Sequence, residues 1–280
     1  MSDAAESTAQ QTDLPLLFQP ITIKSVTARN RIVVPPLCQY SAVDGIPNDW
    51  HLVHYGSYAR GGVGTIFVEA TGVEPRGRIS HGCLGIWDDE HGAALKPLVN
   101  IIKRHGAVPG IQIAHAGRKA STQRPWNGLS ALNDDDIARG DVPWEVVGPS
   151  PLPADEGWLV PKQLDEAEIG DIVKAFGQAA RRSHDAGFEA LEIHGAHGYL
   201  IQSFLSPLSN KRNDGYGGDL AGRMRLALEV TREVRSNWPD EKPLFFRVSS
   251  VDGSDDGWQL DDSIALAKEL KALGGDCIDC

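Results

Sequence analysis

The sequence predicts an α/β protein of the parallel (β/α)8 barrel type, a TIM barrel, incomplete at its C-terminal end with about six βα units present. Three observations lead there. Short β-branched runs alternate with longer segments of helical period, as successive βα units require. The first strand is followed by Pro35, Pro36, Leu37 and Cys38, not by the GxGxxG turn of an open dinucleotide-binding sheet. Residues with chemistry fall at the C-terminal ends of several strands, where a barrel assembles its site. Alternation alone also fits an open doubly wound sheet, and the motif positions decide for the barrel.

Taken in order, residues 1–13 are polar and carry scattered acids, a composition that buries too little apolar surface to offset ordering, and they are expected to be a disordered tail before one domain over 14–280. The alternating stretch LFQPITIKSVTARN from Leu16 predicts a hairpin capping one end of the barrel. Strands are expected at 31–37, 65–70, 108–114, 190–195, 244–249 and 276–280, with helices near 49–62, 89–105, 165–186, 219–236 and 261–273. Asp49, Asp165, Asp219 and Asp261 can each accept hydrogen bonds from amides left unpaired in a first helical turn. Gly106, Gly187 and Gly274 stand where a left-handed residue ends a helix. The long insertion at about 116–164, with Trp126, Trp144 and Trp158 among Gly, Pro and Asp, is expected on the active face, either shaping the pocket or only packing on the barrel.

Composition bounds the function. Forty-one per cent hydrophobic residues in 280 suffice for a substantial core, and the formal charge of −11 repels phosphate backbones, so nucleic acid is not an expected partner. No run approaches the length of a membrane helix and the start lacks a secretion signal, which predicts a cytoplasmic protein. Cys277 and Cys280 form a CxxC, but it sits in a strand-like run without a second pair, so buried thiols are favoured over zinc or redox chemistry.

The richest segment is ALEIHGAHGYL, 190–200. Small residues at Gly195, Ala196 and Gly198 let the backbone turn tightly, so His194, His197 and Tyr199 can converge. Two imidazoles can donate to one carbonyl oxygen, and a phenol can supply a proton to a strongly basic carbon. Zinc ligation with His115 is the functional rival. It lacks the glutamate of HExxH, and Glu192, the nearby carboxylate, is expected on the opposite side of the strand end. Buried, satisfied histidines are the plainer alternative.

The segments PPLCQY from Pro35, VEATGVEPRGR from Val68, GIQIAHAGRKAS from Gly110, HGAHGYLIQSFLSPLSNKRNDGYGG from His194 and FRVS from Phe246 together resemble the Old Yellow Enzyme family, NADH:flavin oxidoreductases, nearly continuously from Leu16 to Cys280. The likeness is strongest to the bacterial branch of xenobiotic reductases and YqjM-like ene-reductases, which carries a cysteine after the first strand and a His-His pair. The resemblance implies FMN as cofactor, NADPH or NADH as reductant and small enones as substrates. It implies that the backbone of Pro35, Pro36, Leu37 and Cys38 and the region of Ala70 lie against the flavin ring, that Gln112 pairs with its pyrimidine edge, and that Arg247 faces its N1 and O2 side. A guanidinium that stays protonated suits an anionic reduced flavin, and an amide matches alternating donors and acceptors. It further implies that His194 and His197 hold the substrate carbonyl, Tyr199 is the proton donor, and Tyr40 is a second pocket tyrosine. His115, Arg118 and Lys119 stay unassigned.

Six strands are counted where a barrel has eight, and the loops after strands seven and eight commonly bind phosphate. The expectation is a truncated chain, or one completed by a second C-terminal polypeptide, that binds FMN poorly alone, with a homo-oligomer as the other partnership. An inert flavin-free fragment, a 2,4-dienoyl-CoA reductase relative and a zinc barrel hydrolase are the alternatives.

Overall fold

Alternating apolar residues in ITI and VTA form the first pair of strands, β1 (Ile21–Ile23) and β2 (Val26–Ala28), antiparallel with Ile21 opposite Ala28. The computed structural model describes residues 14–280; the tail expected over 1–13 lies outside them. The hairpin is pinned by Ser25 N donating to Glu241 O at 3.0 Å and Lys24 Nζ donating to Asp240 O at 2.7 Å. Beneath it is an apolar cavity of about 110 Å³ lined by Ile21, Ile23, Val26, Phe67, Val108 and Phe245, so the hairpin covers the N-terminal end of the main sheet as expected.

The chain continues through β3 (Val33–Val34), α1 (Asp49–Gly61), β4 (Thr65–Gly72), α2 (Asp89–Ala94), α3 (Lys96–Arg104) and β5 (Val108–Ala114). Then come α4 (Asp134–Ala138), the short β6 (Val147–Gly148) and β7 (Lys162–Gln163), α5 (Glu166–Ala186), β8 (Ala190–Gly195), α6 (Leu200–Leu205), α7 (Leu220–Asn237), β9 (Leu244–Val248), α8 (Leu260–Ala272) and β10 (Cys277–Asp279). One sheet runs β3, β4, β5, β8, β9, β10 with every neighbouring pair parallel. Phe67 on β4 and Phe245 on β9 are three strand spacings apart, about 14 Å on a flat sheet. Their ring centroids nevertheless stand 5.1 Å apart, so the sheet is curled into a half-barrel with these side chains on its concave face.

The convex face carries the core. Ile66, Val68, Ile111, Ile113, Leu191, Ile193, Leu244 and Phe246 are buried, as are Ile169, Ile172 and Phe176 one helical face apart on α5 and Leu226, Val230 and Val234 on α7. Side chains alternate along each strand, so burying this set turns Gln112, Glu192, His194 and Arg247 to the concave side.

Boundaries differ from expectation where local chemistry intervenes. The first strand shrinks from 31–37 to two residues because Pro35 and Pro36 have no N–H for a ladder. The helix expected over 89–105 breaks at Leu95, with Pro97 in the first turn of its second half. Asp165 and Asp219 cap α5 and α7 as expected, but Asn48 caps α1 in place of Asp49, in a capping box with His51. At α8 the box pairs Gln259 with Asp262 in place of Asp261. Gly106, Gly187 and Gly274 take φ of 77°, 98° and 88°, the expected left-handed stops. The thiols of the CxxC are not buried: Cys277 is half-buried on the edge strand and Cys280 is exposed, and all four cysteines are free.

Candidate active site

The C-terminal end of β8 builds the site. His194 is the last side chain on its concave face, and the chain then turns through His197 at φ 61° and Gly198 at φ 74°. The left-handed pair is half as expected: a non-glycine shares the turn, a conformation histidine tolerates better than most residues. His197 N donates to Ser249 Oγ at 2.9 Å, and Lys119 Nζ donates to His197 O at 2.8 Å. Gly195 is small because a Cβ there would stand 2.3 Å from Phe246 Cε1.

This turn brings the three groups together. His194 Nε2 lies 3.3 Å from His197 Nδ1, and the His194 ring centroid is 5.0 Å from that of Tyr199. His194 Nδ1 accepts from Ala196 N at 3.3 Å, so in the neutral ring Nε2 carries the proton and faces the gap between the imidazoles. Burial, then the charges of His197, Arg247 and Lys119, hold His194 well below the usual imidazole range; partial burial and Arg247 lower His197. Both rings are neutral at pH 7, each with one N–H to donate. Burial pushes the Tyr199 phenol up, with Cys38 and Tyr40 contributing, so it keeps its proton.

Tyr40 faces Tyr199 across a pocket of about 350 Å³ that Lys119, Ile79, Thr122 and Trp158 also line. Thr122 and Trp158 belong to the long insertion, Trp144 anchors it by donating to Arg76 O at 3.0 Å, and Trp126 meets Tyr40 edge-on at 6.3 Å. Tyr40 is held at φ 52°. Beside it Cys38 is a half-buried residue whose thiol burial pushes up well above its ordinary value, so it is no thiolate nucleophile. Leu37 is exposed and Ala70 is buried at the β4 end.

Deeper on the concave face, Gln112 Nε2 donates to Glu192 Oε1 at 2.7 Å. Glu192 therefore shares a side with His194 and does not point away, correcting the sequence reading; two residues apart on a strand means the same face. Burial, then Asp279, pushes its carboxyl up to about 7, with the Gln112 hydrogen bond and Arg247 opposing. Arg247 pairs with Asp279 Oδ2 at 3.2 Å from Nε, yet that Nε is buried without a hydrogen-bond partner among the described residues. A guanidinium that keeps one buried N–H unsatisfied, on the same concave face as an amide with a free carbonyl oxygen, suits the edge of a flavin ring: alternating donors and acceptors, with negative charge growing at N1 on reduction. The residues fit the flavin ring of FMN.

Sequence reasoning missed a second layer. Glu69, fully buried, accepts from Tyr55 Oη at 3.1 Å and from Gln39 N at 2.9 Å, tying α1 to the segment that carries Cys38 and Tyr40. The signal was an acid inside the apolar run TIFVEA, since a buried carboxyl needs partners. His115, the third imidazole of the zinc alternative, instead donates Nε2–H to Glu74 at 2.8 Å and accepts from Gly117 N at 2.9 Å through Nδ1. Its carbonyl receives Leu200 N at 3.0 Å. No three His, Cys, Asp or Glu side chains form a metal cage among the described residues.

A half-barrel whose strand ends gather two neutral imidazoles, a protonated phenol, an amide and a guanidinium with one N–H to spare belongs to the class of barrel oxidoreductases that work on a bound flat cofactor. The chain is a member of the NADH:flavin oxidoreductase / NADH oxidase family, whose profile matches residues 16–280. It is 45% identical over 266 residues to an NADPH dehydrogenase of Geobacillus thermodenitrificans, covering 94% of this chain and 72% of that one. An NADPH dehydrogenase of Clostridium acetobutylicum is 48% identical over 237 residues, 84% of this chain and 64% of the other. Among solved structures, morphinone reductase in complex with tetrahydroNAD superposes with a TM-score of 0.79 at 28% identity, covering 95% of this chain and 73% of its own. An old yellow enzyme homologue from Zymomonas mobilis is also 28% identical, with a TM-score of 0.78 over 94% of this chain and 72% of that one. The protein is an oxidoreductase of the Old Yellow Enzyme type, with FMN as cofactor and NAD(P)H as reductant. No helix among the described residues is long and apolar enough to cross a membrane.

Proposed function

We propose that this chain carries the catalytic face of an ene-reductase that reduces the carbon–carbon double bond of small α,β-unsaturated carbonyl compounds, acting in the cytoplasm. The reading rests on one juxtaposition: His194 Nε2 and His197 Nδ1 stand 3.3 Å apart beside Tyr199, at a pocket that Tyr40 closes from the other side. Two imidazoles this close can each turn an N–H to one carbonyl oxygen, and they stabilise it most when negative charge builds there. Both imidazoles are neutral, so they donate without a counter-ion. Tyr199 holds its proton in the half-buried pocket wall and delivers it to the α carbon, whose basicity far exceeds that of a phenolate. Tyr40 and Trp158 orient the substrate and exclude water.

FMN, when bound, supplies the hydride chemistry, drawing reducing equivalents from NADPH or NADH. The backbone of Pro35, Pro36, Leu37 and Cys38 with Ala70 would flank its ring, Gln112 would meet the pyrimidine edge, and Arg247 would offset charge at N1. A neutral Cys38 thiol acts there as a weak donor.

The test is anaerobic. Protein loaded with FMN is reduced with NADPH, then mixed with cyclohexenone. In Tyr199→Phe, reduction by NADPH is retained and reoxidation by the enone slows by about 10²-fold or more. Reoxidation of Tyr199→Phe at the wild-type rate would remove the proton-donor assignment.

A further inference from the structure

A glutamine side chain is nearly symmetric in shape, with an acceptor on one arm and two donors on the other, so a site that uses it to read an edge must break that symmetry. At Gln112 the device is visible. Both Gln112 and Glu192 are 2% exposed, and Gln112 Nε2 donates to Glu192 Oε1 at 2.7 Å across adjacent strands in register. An ionised carboxylate only accepts, so a flipped amide would set its oxygen against Glu192 in a dry interior. Such a contact costs both the hydrogen bond and the desolvation of two facing acceptors.

We propose that Glu192 is a positioning residue: it locks the Gln112 amide with Oε1 free to accept and one Nε2–H free to donate, so that the site selects a ring edge presenting an N–H next to a carbonyl. This rests on the reading of Gln112 as the residue that meets the flavin pyrimidine edge. That edge has an N–H between two carbonyls, and the locked amide matches one donor and one acceptor in a single orientation. Glu192 also stands within the field of Arg247 and Asp279. Its charge therefore moderates how strongly the guanidinium favours a reduced, anionic ring.

The experiment compares the dissociation constant of oxidised FMN, by quenching of flavin fluorescence, in wild type, Glu192→Gln, Gln112→Leu and the double variant. Measurements are made at pH 8.5, where the Glu192 carboxyl is ionised. Glutamine at 192 keeps the shape but accepts from or donates to Gln112 equally well, so the amide loses its single orientation. FMN affinity is expected to fall about threefold to tenfold in Glu192→Gln, and further in Gln112→Leu. Adding Glu192→Gln to Gln112→Leu is expected to change affinity less than twofold, because the residue acts through the amide. The midpoint potential of bound FMN should also rise in Glu192→Gln, as Arg247 loses its opposing charge. Unchanged affinity in Glu192→Gln, or its full effect persisting in the double variant as a packing defect would, overturns the positioning role while leaving the Gln112 assignment standing. Unchanged affinity in Gln112→Leu overturns that assignment and this proposal with it.

Discussion

Replacing Glu74 by glutamine is expected to unpin the active-face turn and to change how stability depends on acid. The Glu74 carboxylate accepts from His115 Nε2 at 2.8 Å and from Arg76 Nε, with its side chain 22% exposed. Burial alone would raise this carboxyl, but the hydrogen bonds from His115 and Arg76 and the charge of Arg76 outweigh it and hold it at about 2, against an ordinary value of 4.5. A carboxyl depressed by folding stabilises the protein at pH above its unfolded value and loses that contribution as pH falls toward the folded one. The gap here corresponds to about 3 kcal/mol, present at pH 7, eroding from about pH 4.5 and gone near pH 2. The new amide in Glu74→Gln keeps one acceptor and turns its NH2 toward a donor, so the variant should lose about 2–3 kcal/mol at pH 7. Urea unfolding at pH 7 and pH 3 reads this directly: wild type weakens between the two more than Glu74→Gln does. Because His115 O receives Leu200 N, the loss should reach Tyr199 and lower enone turnover as well. Equal stability of the two proteins at pH 7, or the same fall between pH 7 and pH 3, would refute the reasoning.

Glu69 should show the opposite slope. Burial pushes its carboxyl up to about 8 despite hydrogen bonds from Gln39 N and Tyr55, so its contribution is present below about pH 4.5 and is lost as pH rises through 8. Glu69→Gln should flatten the decline in stability between pH 5.5 and pH 8.5, measured by urea unfolding. Gly195→Ala places a methyl 2.3 Å from Phe246 Cε1 and 3.0 Å from Arg247 O, and should cost about 1–3 kcal/mol by overpacking, read as a lower melting temperature. Phe176→Ala on α5, which is fully buried, should cost about 3–5 kcal/mol in the same assay.

Much of the fold was legible because each strand buried on both faces reads as an apolar run of its own length. The segments 108–114 and 190–195 match the observed strand bounds, and Asp165, Asp219 and Gly187 mark helix ends through hydrogen bonds local to the chain. Where two neighbours could cap, as Asn48 beside Asp49, composition does not choose, because the choice depends on the backbone angle at which the chain enters the helix. The side taken by Glu192 was legible too, since its spacing of two from His194 fixes a shared face while the ladder lasts. Treating the strand end as already turned puts it on the wrong side, whereas β8 keeps its alternation through Gly195.

The sequence by itself determined the parallel α/β architecture, the cluster of His194, His197 and Tyr199, and the family, since these depend on residue types at short spacing. Only the tertiary structure decided which groups face one another from different strands: Gln112 with Glu192, Arg247 with Asp279, Glu69 with Tyr55, and Tyr40 across from Tyr199. The reason is physical. Periodicity tells which side of its own element a residue takes, whereas the curl of the sheet and its register set distances between elements, and those distances govern hydrogen bonding and the protonation of buried acids.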